Sequence, residues 1–320
     1  MKAVQIHHYG GPEELKYEDA DDPVINPDDV LIRVHATSVN PVDWKIRNGA
    51  RKEQGSAHFP LILGWDVSGV IERAGARVKG FNEGDEVYGR PDPGRNGAYA
   101  EYIAVRASEI ALKPKTLDHS VAAAVPLAGL TAWQGLFDHG KLKAGQKVLI
   151  HGAAGGVGTM AVQLAKWKGA YVIGTAAKDN IDFLKELGAD EVIDYQAERF
   201  EEKLTDLDLV FDTIGGEVQA RSLNVLKPGG TIVSTVGIRD KEMVKSKGLH
   251  GEQYMAQSDP EQLRQLAHLI DQGKLIPVIA RTMPLKEAAQ AQQISEEGHT
   301  RGKIVLKVSD GPRGDRLDTR

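Results

Sequence analysis

Two rhythms divide the chain. Up to about Lys115 the apolar positions come in short, β-branched or alternating stretches closed by Gly, Pro or Asn. They are KAVQIHHYGG, DVLIRVHATSVNP, DVSGVIERAG, DEVYGR and AYAEYIAVRASEIALKP. That pattern predicts the strands of a β-rich domain. From Thr116 the Ala-rich DHSVAAAVPLAGLTAWQGLFDHG predicts helix. Compact apolar runs then alternate with helical patterning. The order is KVLIHGAA, a helix over 156–168, AYVIGTA, a helix over 180–187, DEVIDY, LDLVFDTIG, a helix over 218–226, and GTIVSTVG. Continuous apolar strands alternating with helices predict a parallel sheet covered on both faces. A further helix is expected in PEQLRQLAHLIDQGKL and a last strand in GKIVLKV. The closing SDGPRGDRLDTR is polar and expected to be disordered.

Composition narrows the class. At 320 residues, two domains are expected. A net charge of −5 disfavours nucleic acid and anionic membranes, which attract clustered positive charge. The chain has no cysteine, so disulfides, thiolate metal sites and thiol nucleophiles are excluded. No stretch approaches the roughly 20 apolar residues of a membrane span. MKAVQIHHYGGPEE lacks the apolar centre of a secretion signal. A cytoplasmic location is expected.

KVLIHGAAGGVGTMAVQLAKWKGA carries the clearest chemistry. A buried strand runs into a glycine-rich turn and then an amphipathic helix. Glycines let the backbone approach a pyrophosphate, and the helix start offers unpaired N–H groups. Aligned to G-x-G-x-x-G, the stretch reads Ala153, Ala154, Gly155, Gly156, Val157, Gly158, with alanine in place of the first glycine. The next strand ends in Thr175, Ala176 and Ala177 before Lys178. A hydroxyl and a lysine suit the 2′-phosphate of NADPH, where a carboxylate would suit the 2′-hydroxyl of NADH.

These stretches, with VNPVDWKIRNG, FPLILGWDVSGVI, GDEVYG, GAYAEYI, PLAGLTAWQGL, LGADEVIDY and GKIVL, span nearly the whole chain. In that order they resemble the medium-chain dehydrogenase/reductase superfamily, and within it the zinc-independent quinone oxidoreductase (zeta-crystallin-like) family. The resemblance implies an α/β chain of two domains. A GroES-like β-rich catalytic domain would take residues 1–117 and 259–320. A Rossmann domain with a doubly wound parallel sheet would take 118–258, and the active site would lie in the cleft. Zinc-dependent relatives place a histidine after the glycine matching Gly64; here Trp65 stands there, and no H-E-x-x-H occurs, so no metal is expected.

Without a metal, simple alcohols are poor substrates, because nothing stabilises the alkoxide. Quinones and α,β-unsaturated carbonyls spread the charge onto a conjugated oxygen that hydrogen bonds can stabilise. The resemblance therefore implies an NADPH-dependent quinone or enone reductase acting on a small molecule, commonly a homodimer. That pairing would run through the edge strand near Gly248–Met255. Asn40 and Thr131 are the expected catalytic residues, both also touching cofactor. Ala154, Gly155, Gly156, Val157, Thr175, Lys178, Tyr195, Gly237, Ile238 and Lys303 are expected to bind it. Asp43 is expected to hold the Asn40 loop. Trp44 and Trp65 would wall the substrate pocket, with loops from WKIRNGARKEQGSAHF and GRPDPGRNGAY around them. Trp65 and Asp66 are expected on opposite faces of one strand. A short-chain dehydrogenase is set aside because no Tyr-x-x-x-Lys occurs, and a serine hydrolase because no G-x-S-x-G does. The remaining alternative is an NADPH-binding protein with little turnover, serving a structural or interaction role.

Overall fold

The structure, a computed structural model, describes residues 1–50, 52 and 58–308. The expected disordered tail and the middle of the 44–59 pocket loop lie outside the described residues. The chain forms two compact units.

The first unit holds Met1–Pro126, Arg281–Gly298 and the described residues from Ile304 on. Its main sheet centres on the strand Asp29–Val39, which pairs antiparallel with Val67–Ala74, Tyr102–Arg106 and Lys303–Lys307. Glu86–Gly89 and Ile110–Leu112 extend it. Period-two patterning explains the core. Val30, Ile32 and Val34 all point inward onto Val67, Ile71, Val87, Ile103, Val105 and Ile110. Each such side chain contributes roughly 2 kcal/mol by leaving water. A small antiparallel sheet of Lys16–Asp19, Lys2–Ile6 and Leu61–Ile62 completes the strands.

The second unit holds Leu127–Ala280 and His299–Lys303. Its sheet contains β1 (Lys147–Ile150), β2 (Tyr171–Ala176), β3 (Glu191–Asp194), β4 (Leu207–Asp212), β5 (Leu226–Ser234) and β6 (His250–Gln253). All five pairings are parallel, and the spatial order is 3-2-1-4-5-6, the dinucleotide-binding order. Val148, Leu149 and Ile150 are fully buried, as a central parallel strand covered by helices requires.

The unit limits differ from the expected breaks at 117/118 and 258/259, for local reasons. Ser68 Oγ lies 2.8 Å from His119 Nδ1, which keeps residues 118–126 with the first unit. Gln134 Nε2 donates to Gln257 O (2.9 Å) and Gln262 Oε1 (2.8 Å), so the helix Pro260–Asp271 stays with the parallel sheet. Gln163 grips both backbone groups of Ile276. Three further elements differ from expectation. Residues 41–47 form the helix Pro41–Arg47 rather than loop, begun by Pro41 at its first position. The long Ala-rich helix is divided into His119–Ala122, Pro126–Trp133 and the π-helical turn Gln134–His139. Trp65 and Asp66 are not in a strand: Gly64, at φ +99°, separates Leu61–Ile62 from Val67–Ala74, and both residues are buried.

Candidate functional site

In the second unit the expected cofactor residues gather along the carboxyl ends of the parallel strands, the ligand side of such sheets. After β1 the chain turns at Gly152, whose φ of +65° favours glycine. A Cβ on Gly158 would collide with the backbone of Gly152 and Ala153, so the helix Gly156–Trp167 starts tight against the turn. Ala153, in place of the first motif glycine, is accommodated by β2. Its methyl faces Gly174, where a second Cβ would sit only 2.9 Å away. Gly155 is the residue before the helix, and no side chain caps it. The stem of Lys303 lies over Gly156, where a Cβ would come within 2.5 Å of Lys303 Cδ. Gly302 N donates to Ala154 O (2.9 Å). Ala154, Gly155, Gly156, Val157 and Lys303 thus form one backbone-lined cradle. Its uncapped helix N–H groups and small residues fit a dinucleotide pyrophosphate.

At the end of β2, Thr175 is only 4% exposed. His151 Nδ1 lies 3.0 Å from Thr175 Oγ1, and His151 Nε2 lies 2.8 Å from Ser222 Oγ. Ser222 has one hydroxyl hydrogen, and it is donated to Val218 O (2.7 Å). His151 therefore donates from Nε2 and accepts at Nδ1 from the Thr175 hydroxyl. Burial holds the His151 pKa down at about 4, so the ring is neutral at pH 7. Thr175 directs its hydrogen into the sheet and keeps only lone pairs for a ligand. Lys178 is exposed and opens the turn Lys178–Asn180. Tyr195, 50% exposed, follows β3 and donates its N–H to Ala176 O (3.2 Å). Backbone pairing therefore brings Thr175, Lys178 and Tyr195 to one corner.

Arg301 joins that corner and was missed in the sequence. Its Nε donates to Asn180 Oδ1 and its Nη2 to Asp179 O, both at 2.7 Å. Its guanidinium lies 4.8 Å from the Phe183 ring centre. The signal that would have found it is its place one residue before Gly302, the partner of the glycine turn.

After β4 and β5 a second network shapes the chain. Asp212 Oδ1 accepts from the N–H groups of Ile214 and Gly215, both at 2.9 Å. Its Oδ2 accepts from Gln219 Nε2 (2.8 Å) and Ser234 Oγ (3.0 Å). Gln219 Nε2 also donates to Gly237 O (2.6 Å), fixing the Gly237–Ile238 corner, where Gly237 has φ +100°. Thr131 donates its hydroxyl to Leu127 O (2.6 Å), the back-bond expected of a helical threonine, and so offers only acceptor lone pairs.

In the first unit Asn40 is 1% exposed and sits at the start of the helix Pro41–Arg47. Its Nδ2 donates to Asp66 Oδ2 (2.7 Å), which also accepts from Ser38 Oγ (2.5 Å). Its main-chain N–H donates to Asp43 Oδ2 (2.8 Å), which accepts from Tyr99 Oη (2.9 Å) as well. Burial and the Asp43 charge push the Tyr99 phenol well above its ordinary pKa, so it stays a donor. Asp66 thus fixes the Asn40 side-chain amide, and Asp43 fixes its main chain. Trp65 is completely buried, and its Nε1 has no hydrogen-bond partner among the described residues; Trp44 Nε1 shares that state. Among the described residues no three His, Asp or Glu side chains are placed to hold a metal ion.

An antiparallel GroES-like sheet and a 3-2-1-4-5-6 parallel sheet in one chain define a medium-chain dehydrogenase/reductase. Two family descriptions match: the alcohol dehydrogenase GroES-like domain over residues 26–115 and zinc-binding dehydrogenase over 187–306. The mouse mitochondrial NAD(P)H oxidoreductase RTN4IP1 is 37% identical, across 96% of this chain and 89% of its own length. The chloroplastic NADPH-dependent alkenal/one oxidoreductase of Arabidopsis thaliana is 37% identical, across 96% and 79%. The quinone oxidoreductase structure from Coxiella burnetii superposes with a TM-score of 0.91 at 40% identity, across 97% and 99%. The chain belongs to the zinc-independent quinone oxidoreductase (zeta-crystallin-like) family of medium-chain dehydrogenases/reductases. The zinc of the second description does not fit: cysteine is absent and Trp65 is an indole, not a ligand.

Proposed function

We propose that the chain is an NADPH-dependent oxidoreductase that delivers hydride to a quinone or an α,β-unsaturated carbonyl compound. The observation that carries this is the corner of Thr175, Lys178 and Tyr195 beside an uncapped glycine cradle, with a lysine where NADH-binding chains carry a carboxylate. Relatives named for quinones and for alkenals and alkenones support the substrate class.

Bound NADPH supplies the hydride. Ala154, Gly155, Gly156, Val157 and Lys303 take the pyrophosphate, and Lys178 and Tyr195 the 2′-phosphate. Thr175 packs beneath them. Gly237 and Ile238 cover the nicotinamide side. Thr131 accepts from the carboxamide with its free lone pairs. Asn40, its amide fixed by Asp66, is the residue that steadies the oxygen that gains charge. Water then protonates that oxygen or the adjacent carbon. Trp44 walls the substrate, while Trp65, with no exposed surface, belongs to the core and not to the pocket wall.

A product-resolved assay of NADPH oxidation with quinones, enones and aldehydes tests this reading. Turnover of quinones or enones, with NADH markedly poorer, is expected. Tight NADPH binding with no turnover across the panel would favour a binding or structural role instead. A homodimer through β6, an edge strand exposed along its length, belongs to the same proposal, and light scattering checks it. So does a cytoplasmic location, checked by cell fractionation, since relatives are named mitochondrial and chloroplastic.

A further inference from the structure

We propose that Arg301 is a cofactor-selecting residue, a second cation that reads the 2′-phosphate alongside Lys178. The inference rests on the NADPH reading above. Two of its donors are already committed to the turn that carries Lys178: Nε to Asn180 Oδ1 and Nη2 to Asp179 O. The guanidinium stacks on Phe183, which fixes its plane. Nη1 has no protein partner among the described residues, and the side chain is exposed. A guanidinium held by three contacts, with one nitrogen left over, is preorganised for an anion and loses little entropy on binding one.

Its neighbours place it at the cofactor. Gly302 bridges to Gly155, and Lys303 lies across Gly156. One short segment, His299–Lys303, therefore touches the pyrophosphate cradle with its last two residues and the ribose corner with Arg301. By committing the Asp179 carbonyl and Asn180, Arg301 also fixes where the Lys178 turn sits. The stretch is 121 residues from Asn180 in sequence, so the pairing exists only in the folded unit.

The test is equilibrium titration of the full chain with NADPH and with NADH, read by nicotinamide fluorescence, for wild type, Arg301→Gln and Arg301→Lys. Arg301→Gln is expected to raise the Kd for NADPH roughly tenfold or more while leaving NADH within about twofold. Its dependence of NADPH affinity on salt becomes shallower. Arg301→Lys keeps the charge and recovers part of the lost preference. Equal weakening of both nucleotides, or no recovery in Arg301→Lys, reduces Arg301 to a loop staple and overturns the proposal. A wild type that binds NADH as tightly as NADPH overturns the underlying cofactor reading instead. A preserved NADPH preference in Arg301→Gln overturns only the role of Arg301.

Discussion

His151 Nδ1 stands 3.0 Å from Thr175 Oγ1, a buried, neutral imidazole accepting a hydroxyl hydrogen at the end of β2. The pair ties the glycine turn to β2, and it titrates. Burial lowers the folded pKa to about 4, against 6.5 when the chain is unfolded. Between those values the unfolded chain binds the extra proton, so stability rises with pH across that window. This contribution is fully present above about pH 6.5 and is lost as the pH falls towards 4, on the order of 3 kcal/mol in total. His119, lowered to about 4 by burial, adds a slope of the same sign. Chemical denaturation at pH 7.5, 6 and 5 measures the loss. In His151→Gln the slope becomes shallower; an unchanged slope would mean the ring does not titrate as described.

Two glycines of the cradle separate folding from binding. A Cβ at Gly158 meets backbone atoms of Gly152 and Ala153, which cannot move without opening the turn. Gly158→Ala is expected to cost roughly 1–3 kcal/mol of stability as an overpacked site. A Cβ at Gly156 meets the flexible stem of Lys303 instead. Gly156→Ala is expected to leave the melting temperature within a few degrees and to weaken NADPH binding about tenfold by displacing Lys303. Calorimetry and fluorescence titration on both variants check the contrast. Equal melting temperatures for the two would contradict it.

Thr131 offers a cleaner separation still. Thr131→Val keeps the shape and removes the hydroxyl, together with its back-bond to Leu127 O. Stability should change by no more than about 1 kcal/mol, since the helix does not need that bond. If its lone pairs hold the carboxamide, kcat/KM for the quinone falls roughly tenfold. Steady-state kinetics beside thermal melts read both; unchanged kinetics would leave Thr131 a helix residue only.

How much of this was legible in the sequence depends on how local the cause was. The strand, glycine turn and helix over 147–167 follow from periodicity and glycine placement, so their positions came through to within a residue. Trp65 and Asp66 were misplaced because alternation across GWDVSG reads as strand, while the positive φ of Gly64 shows only in three dimensions. The Asn40 helix was read as loop because it has only seven residues. The hydroxyl of Thr175 suggested a phosphate donor; which way its hydrogen points is decided by Ser222, on another element. Arg301 was invisible because its partners, Asp179 and Asn180, are brought to it by the fold and not by spacing.

Asp66 carries the last prediction. It is fully buried, and its Oδ2 receives both the Ser38 hydroxyl and the Asn40 amide. Truncation in Asp66→Ala removes the acceptor from two buried donors, each loss costing about 1–3 kcal/mol. A loss of several kcal/mol is therefore expected from Asp66→Ala. Asp66→Asn keeps the size and one acceptor oxygen but brings its own N–H₂ towards those donors. It should cost less stability yet still turn the Asn40 amide. If that amide meets the oxygen that gains charge, Asp66→Asn lowers kcat at least tenfold while the Kd for NADPH stays within about twofold, because the proposed cofactor cradle is built from other residues. Ser38→Ala, which removes a donor and leaves the Asn40–Asp66 bond intact, should change kcat far less. Equal kinetic losses in Asp66→Asn and Ser38→Ala would show that the carboxylate acts on packing alone and not through the orientation of Asn40.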